Sequence, residues 1–312
     1  MKAVTLVTTP HRPVLYQQTI EYLAPKSPGL YLDCTAGAGG HSEGILQVSS
    51  PKGLLLALDL DPLAISLTQS RLAPFGERAT IVQASYIDAA RILQQIGWSA
   101  LDGILMDLGV SSMQLDQQDR GFSFRYDAPL DMRFNPDKGP NAADLLNSLS
   151  EKDLADLIWR YGEERFSRRI ARKIVENRPL RTTFQLAELV RSASGASKGK
   201  IDPATRTFQA IRIAVNDELN VIEKAIPSLI ALLKPKGRLA VISFHSLEDR
   251  LVKQAFKRES IDCLCPPEQL LCTCGHKASV KILANKPITA SEEEIEGNPR
   301  ARSAKLRVLE KK

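Results

Sequence analysis

Along the first hundred residues the apolar and polar positions alternate between two rhythms. Residues 29–33 form a short apolar run that ends on Asp33, followed by a glycine-rich turn and a helix from about His41. Residues 53–59 are nearly continuous in Leu and Ala and end on Asp59, after which Pro62 opens a helix reaching about Ala73. Residues 80–84 predict a third strand, 87–96 a helix, and 101–107 a fourth strand closing on Asp107. Strands apolar on both faces belong to a sheet covered on both sides, and alternation with helices makes that sheet parallel. The expected fold class is therefore α/β. Ligands of such sheets bind at the carboxyl ends of the strands, where the three acids fall.

The rhythm then breaks. Residues 109–140 lack regular periodicity, and 141–194 are patterned for helices only, with a capping-box signature at Ser150 and Asp153. Residues 195–203 read as a loop, helices resume at Ala204, Pro227 is expected to open a helix, and 237–244 restore a strand after Lys234-Pro235-Lys236. A long irregular stretch inside a compact domain is functional or marks an insertion. The expected organisation is an α/β domain in two parts, 1–114 and 214–312, interrupted by an inserted helical domain at 115–213 and ending in a basic C-terminal tail.

Composition narrows the class. A hydrophobic fraction of 43% with 25% charged residues is globular and excludes disordered or fibrous chains. Only 5% of residues are aromatic, so each Phe, Tyr and Trp becomes a candidate for a local task. The net charge of +6 is unevenly placed: 160–181 carry +5, 191–212 carry +4 and 298–312 carry +5, which leaves −8 on the rest. An acidic body with basic patches suits a polyanion binder, although any one stretch alone would read equally well as a solvated helix face. The start MKAVTLVTTPHRP lacks a signal-peptide apolar segment, and no run approaches the ~18 residues that span a bilayer. A cytoplasmic protein with no membrane partner is expected. Five cysteines, four of them within residues 263–274, agree, since they are not a spread disulfide framework.

Candidate chemistry begins at Asp33-Cys-Thr-Ala-Gly37-Ala-Gly39-Gly40-His41. Glycines allow a sharp turn and close approach of a ligand, and Asp59 at the next strand end can accept hydrogen bonds from two ribose hydroxyls. A dinucleotide fingerprint would place its third glycine at 42, which is Ser42. The pattern D-x-x-x-G-x-G-G instead suits S-adenosylmethionine, with a dehydrogenase and a plain tight turn as weaker readings. Asp107-Leu-Gly-Val-Ser-Ser112 lies where a methyl acceptor would sit; Asp107 could accept an amine N–H or only hold the cofactor, and the sequence leaves both open. Ser246 and Asp249 form a second capping-box pattern, and His245 just before it is a candidate contact for a target base or its phosphate, against a purely structural histidine. One polar residue of Asn216-Asp217-Glu218 is a candidate to reach the pocket. Cys263, Cys265, Cys272 and Cys274, with His276 beside them, could close a structural zinc site, the alternatives being reduced cysteines or a redox-labile loop. Cys34 reads as a small core residue.

Seven ordered blocks carry a resemblance: HRPVL at 11–15, DCTAGAGGHS at 33–42, DLGVSSMQLD at 107–116, RGFSFRYDAPLDMR at 120–133, TFQAIRIAVNDEL at 207–219, SFHSLEDR at 243–250 and NPRARSAKLR at 298–307. Together they resemble the RsmH (MraW) family of bacterial methyltransferases. The resemblance implies a Rossmann-like S-adenosylmethionine-dependent methyltransferase fold with an inserted helical domain. It also implies action on the N4 amine of a cytosine in the decoding region of 16S rRNA, within the small ribosomal subunit. Gly39, Gly40, His41, Asp59, Asp107 and Gln114 match the family's cofactor positions, and Tyr86 falls where an aromatic, often Phe, lies against adenine. Other amino-methyltransferases carry a Pro-Pro-aromatic motif at the fourth strand for stacking the base, and Asp107-Leu-Gly-Val supplies none. Phe122, Phe124 and Tyr126 are therefore candidates to hold the base, with loop anchoring in the core as the even alternative. Arg168 and Arg169 in the insertion, and Arg300 and Arg302 in the tail, are the candidate phosphate contacts. A noncatalytic ribosome-binding or assembly factor that keeps a cofactor pocket is the competing function, and a homodimer is left open.

Overall fold

A computed structural model describes residues 13–194, 202–269 and 271–312. His11 and Arg12 of the first block, and 195–201 of the expected loop, lie outside the described residues. Seven strands form one sheet: β1 (Leu30–Asp33), β2 (Leu54–Asp59), β3 (Ala79–Gln83), β4 (Leu101–Asp107), β5 (Leu233–Ser243), β6 (Val280–Ile282) and β7 (Lys305–Lys311). Their order is β3-β2-β1-β4-β5-β7-β6, parallel from β3 to β5 and antiparallel where β7 meets β5 and β6. The order reverses between β1 and β4, so the topological switch point, where such sheets bind ligands, lies at the ends of those two strands.

Contacts divide the chain into two units, one of 1–109 with 221–312 and one of 110–220. The first holds the sheet with α1 (Tyr16–Leu23), α2 (Gly40–Val48), α3 (Pro62–Leu72) and α4 (Ala89–Gln95). The second holds α5 (Ser112–Asp116), α6 (Ala142–Ser148), α7 (Glu151–Gly162), α8 (Ser167–Glu176), α9 (Thr183–Ser194) and α10 (Ala204–Asn216). The chain returns through α11 (Glu218–Ala231), and α12 (Ser246–Glu259) and α13 (Glu292–Gly297) complete the first unit. The boundaries expected after residues 114 and 213 fall within α5 and α10, whereas the contact division falls between β4 and α5 at 109/110 and in the first turn of α11 at 220/221. No helix among the described residues is long and apolar enough to cross a membrane.

Each unit has its own core. Leu55, Ala57, Leu105, Ala240 and Ile242 of the sheet pack with Ile45, Leu46 and Leu72 of the helices in the first. In the second, Leu154 and Ile158 of α7, Ile170 and Ile174 of α8, Leu186 and Val190 of α9 and Phe208 of α10 meet at helical spacing.

Three elements depart from the sequence reading. Pro227 lies inside α11 rather than at its start. The N–H that proline lacks would have bonded to the Glu223 carbonyl, and both residues are exposed, so that carbonyl stays open to solvent. Strand β5 begins at Leu233, because the register shift between Leu101 and Gly103 of β4 lets Lys234-Pro235-Lys236 bulge out of the ladder. The expected basic tail is not a tail: residues 305–311 form β7 in the interior of the sheet. There Arg307 and Lys305 bind Asp249 at 2.7 and 3.1 Å. Burial works against ionising Asp249, but these two partners outweigh it and hold its carboxyl below the usual range.

Candidate active site

Three acids end three adjacent strands in the order Asp59, Asp33, Asp107 across β2, β1 and β4. Beyond the strands the backbone stays in register: Cys34 N–H donates to Leu105 O, Ala36 N–H to Leu58 O and Leu108 N–H to Ile242 O. The loop after β1 then turns through Gly37 and Gly39, with φ of 55° and 77° that only glycine adopts freely. The acids build this loop. Asp33 accepts from Thr35 N–H at 3.1 Å and Ser42 Oγ at 2.7 Å; Asp59 accepts from Gly37 N–H and Asp61 N–H, both at 2.9 Å.

The glycines divide the work. A Cβ on Gly40 would strike Pro13 and approach Arg71 Nη1 at 3.0 Å, and one on Gly39 would meet Thr68 Cα at 3.3 Å, so both serve close packing of the loop on α3 and the chain before α1. A Cβ on Gly37 would meet only Thr35 O, at 3.9 Å, so its side of the loop is open. Gly37 and Thr35, left out of the expected cofactor contacts, thus line the accessible face; the positive φ of Gly37 had no signature in the sequence beyond the glycine itself.

Asp107 is held by its own backbone, whose N–H donates to Thr35 Oγ1 at 2.6 Å. Its Oδ2 lies 3.7 Å from Nε2 of His41, a buried ring stacked on Tyr16 at 6.0 Å between centroids. Its Oδ1 is buried and has no hydrogen-bond partner among the described residues. No Lys or Arg pairs with Asp33, Asp59 or Asp107 among the described residues. Burial, only partly offset by the Ser42 and Thr35 hydrogen bonds, pushes Asp33 up to about 6. Burial does the same to Asp59, against the hydrogen bonds from Asp61 and Gly37, and pushes it to about 6. Burial, then the negative charges of Asp33 and Glu248, raise Asp107 well above the carboxylate range. Three desolvated acids without a cation make a site prepared for a positively charged ligand. Tyr86 stands half-exposed in a 3₁₀ turn, Tyr86–Asp88, just after Ala84, whose N–H donates to Asp59 O.

His245 is itself the N-cap of α12, which corrects the reading that put the cap at Ser246. Its Nδ1 accepts from Glu248 N–H at 3.4 Å, and the Glu248 carboxylate accepts from the N–H groups of Phe244 and His245 at 2.8 and 3.3 Å. Nε2 lies 3.0 Å from Glu248 Oε1, so the ring is clamped against a fully buried carboxylate. A histidine cap is rarer than Ser or Asp, which is why the pattern pointed one residue too far.

In the helical unit, Gln114 closes a capping box with Ser111: Gln114 Oε1 accepts from Ser111 N–H at 3.0 Å, so its carbonyl already has a structural task. Phe122 is 7% exposed, stacks on Phe134 and carries the Arg120 guanidinium over its ring. Phe124 packs edge-on against Phe208 with Arg191 above it. Phe122 is thus packed as a loop anchor, the alternative to a base contact, while Phe124 is half-buried and Tyr126 is 44% exposed. Asn216 clamps the same loop through Met132 O and Phe134 N–H, Asp217 caps α10, and Glu218 pairs with Arg212.

The basic stretches differ in what their cations meet. Helix α8 buries Ser167, Ile170, Ala171 and Ile174 and exposes Arg168, Arg169, Arg172 and Lys173 together. Arg165 and Arg169 flank the Phe166 ring at 4.6 and 5.5 Å. Arg178 instead donates to the carbonyls of Leu146 and Leu149. The described cations of the second stretch are paired: Arg191 with Asp202, Arg206 with Glu164 and Arg212 with Glu218. Arg302 is exposed in the turn Pro299–Ser303, and Arg300 is half-buried with a buried Nη1. Cys34 is buried beside the glycine loop, while Cys263, Cys265, Cys272 and Cys274 gather in the connection between α12 and β6.

The sheet order, the strand-end acids and the glycine loop are those of a Rossmann-like methyltransferase, and comparison with known proteins agrees. The chain is 51% identical over 306 residues to the ribosomal RNA small subunit methyltransferase H of Dehalococcoides mccartyi, covering 98% of this chain and 88% of that one. It is 50% identical to the protein of the same name from Geotalea uraniireducens, covering 96% and 98%. An rRNA methylase structure from Streptococcus thermophilus is far more distant, 11% identical with 97% of this chain and 99% of that one covered at a TM-score of 0.42. The family model for the MraW methylase family matches residues 8–312, and the chain belongs to that family.

Proposed function

We propose that this protein transfers a methyl group from S-adenosylmethionine to the N4 amine of a cytosine in the decoding region of 16S rRNA of the small ribosomal subunit. The observation that carries the reading is the buried Oδ1 of Asp107, without a hydrogen-bond partner among the described residues, at the switch point next to Asp33, with Asp59 one strand beyond. A cationic cofactor fits this donor set. The open side of Gly37 gives it room without a side chain, and the three acids can supply negative charge that no Lys or Arg among the described residues neutralises. When bound, S-adenosylmethionine supplies a methyl group on a positively charged sulfur.

The protein's residues divide the remaining tasks. Asp59 keeps a second lone pair on each oxygen for ribose hydroxyls, and Tyr86 offers a ring to the adenine. Asp107 accepts an N–H of the target amine, which returns lone-pair density to a nitrogen conjugated with its ring, and takes the proton released on methylation. The Thr35 hydroxyl holds the backbone of Asp107, and His41 Nε2 stands 3.7 Å from its Oδ2, so the strand end that carries the carboxylate is fixed before substrate arrives. The exposed cations of α8, Arg168 and Arg169 foremost, bind RNA phosphates and position the substrate without reading its sequence. Relatives named as small subunit rRNA methyltransferases support the substrate class. The test is transfer of labelled methyl to small subunits from cells lacking the protein, followed by digestion and identification of the modified nucleoside. Cofactor binding without transfer to any RNA would instead indicate a noncatalytic assembly factor.

A further inference from the structure

The connection between α12 and β6 carries a feature that methyl transfer does not use. Its four cysteines sit in two C-x-C pairs, and residues two apart on an extended segment point to the same face, so each pair presents two sulfurs together. All four Sγ atoms lie within 4.8 Å of one another. Three separations are tighter: Cys263 to Cys272 is 3.4 Å, Cys272 to Cys274 is 3.6 Å and Cys274 to Cys263 is 3.9 Å. Four thiolates at about 2.3 Å from one tetrahedral zinc would lie about 3.8 Å apart.

The backbone is arranged to match. The residue between each pair gives its N–H to the opposite pair: Leu264 N–H donates to Cys274 Sγ at 3.3 Å, and Thr273 N–H to Cys265 Sγ at 3.5 Å. Cys265 N–H donates to Cys263 Sγ at 3.4 Å. Such donors stabilise negative sulfur and fix ligand orientation. The base of the loop is tied down independently, since Ser279 N–H donates to Glu259 O and Ala278 N–H to Asp262 Oδ1. His276 Nε2 lies 2.9 Å from Arg258 O at the end of α12, which assigns it a helix-end contact instead of a metal bond.

We propose that Cys263, Cys265, Cys272 and Cys274 bind one zinc ion as a closed structural site that fixes the loop joining α12 to β6. Binding releases one proton from each thiol and leaves a tetrathiolate of net charge −2, with no open position for chemistry. Soft sulfur donors in a tetrahedron select zinc over harder divalent ions.

The full chain, purified without chelator, is expected to contain one zinc per protein by elemental analysis. A mercurial thiol reagent should release that zinc stoichiometrically. Cobalt substitution should give the intense visible bands of tetrahedral thiolate coordination, whereas the double variant Cys263→Ser, Cys272→Ser should bind neither metal and Cys34→Ala should retain both. Should the double variant not fold, mercurial release from the unmodified protein still decides the matter. Zinc well below one per chain with no cobalt bands in the reduced protein would overturn the proposal. So would iron in place of zinc, or intact mass showing disulfides among these cysteines in protein prepared under reducing conditions.

Discussion

The Thr35 hydroxyl oxygen accepts the backbone N–H of Asp107 at 2.6 Å, tying the loop that leaves β1 to the last residue of β4. Thr35 is thereby a positioning residue for Asp107. Replacing it by Val keeps the shape but leaves that N–H without its acceptor, at a cost of about 1–3 kcal/mol. Turnover is expected to fall ~10-fold or more while Thr35→Ser restores it. A Val variant with unchanged turnover would show that Asp107 needs no such support.

Substitution of Asp107 separates its two tasks. Asp107→Asn keeps the size and removes the acceptor charge, and turnover should fall by ~10²-fold or more, the range for loss of acid–base assistance. Cofactor affinity measured by calorimetry should change far less. If affinity collapses as far as turnover does, Asp107 holds the cofactor and another group takes the proton.

Asp33 and Asp59 set a pH dependence. Both sit near 6 in the folded protein against an ordinary 3.8, burial being the main cause. A carboxyl raised in this way stabilises the fold while protonated; the contribution is complete below about 3.8 and disappears as the pH rises through about 6. For buried Asp33 that is about 3 kcal/mol lost by neutral pH. Asp33→Asn should therefore raise the melting temperature of the ligand-free protein near pH 8 and flatten its pH profile. A cation favours the ionised acids, so affinity for S-adenosylmethionine should drop ~10-fold or more between about pH 7.5 and about pH 5. An affinity that is flat across that window would contradict the cationic site.

The α8 face and its neighbour Arg178 should respond differently. Charge reversal of Arg168 and Arg169 to Glu is expected to weaken small-subunit binding and reduce its salt dependence, with cofactor affinity and melting temperature nearly unchanged. Arg178→Ala should lower the melting temperature, because the Leu146 and Leu149 carbonyls lose their donor. Subunit binding unaffected by the double reversal would remove α8 from the RNA surface.

Phe122 and Tyr126 offer a contrast in stability. Phe122→Ala should cost about 3–5 kcal/mol, as expected for a buried Phe, while Tyr126→Ala should be nearly neutral in unfolding experiments.

The sheet and its acids were legible because each signal is local: apolar runs of strand length, an acid at each end, and a glycine loop between. The strand-end acids needed only the rule that parallel sheets bind at their carboxyl ends. What escaped depended on partners far along the chain. Residues 298–312 read as a basic tail because nothing nearby shows that Asp249 awaits Arg307 and Lys305. Phe122 read equally as a base contact or a loop anchor because its stacking partner Phe134 and its neighbour Arg120 are set by the folded loop. His245 was displaced by one position because Ser246 is the commoner cap. The role of Gly37, against the packing roles of Gly39 and Gly40, required knowing what lies across from each.

Methylation of a cytosine amine in small-subunit RNA at this site is decided by mass spectrometry of 16S RNA from cells with and without the protein, complemented by the wild type or by Asp107→Ala. N4-methylated cytidine in the decoding region should vanish without the protein, return with the wild type and stay absent with the variant. Unchanged methylation of that region in cells lacking the protein, or full restoration by Asp107→Ala, would contradict it.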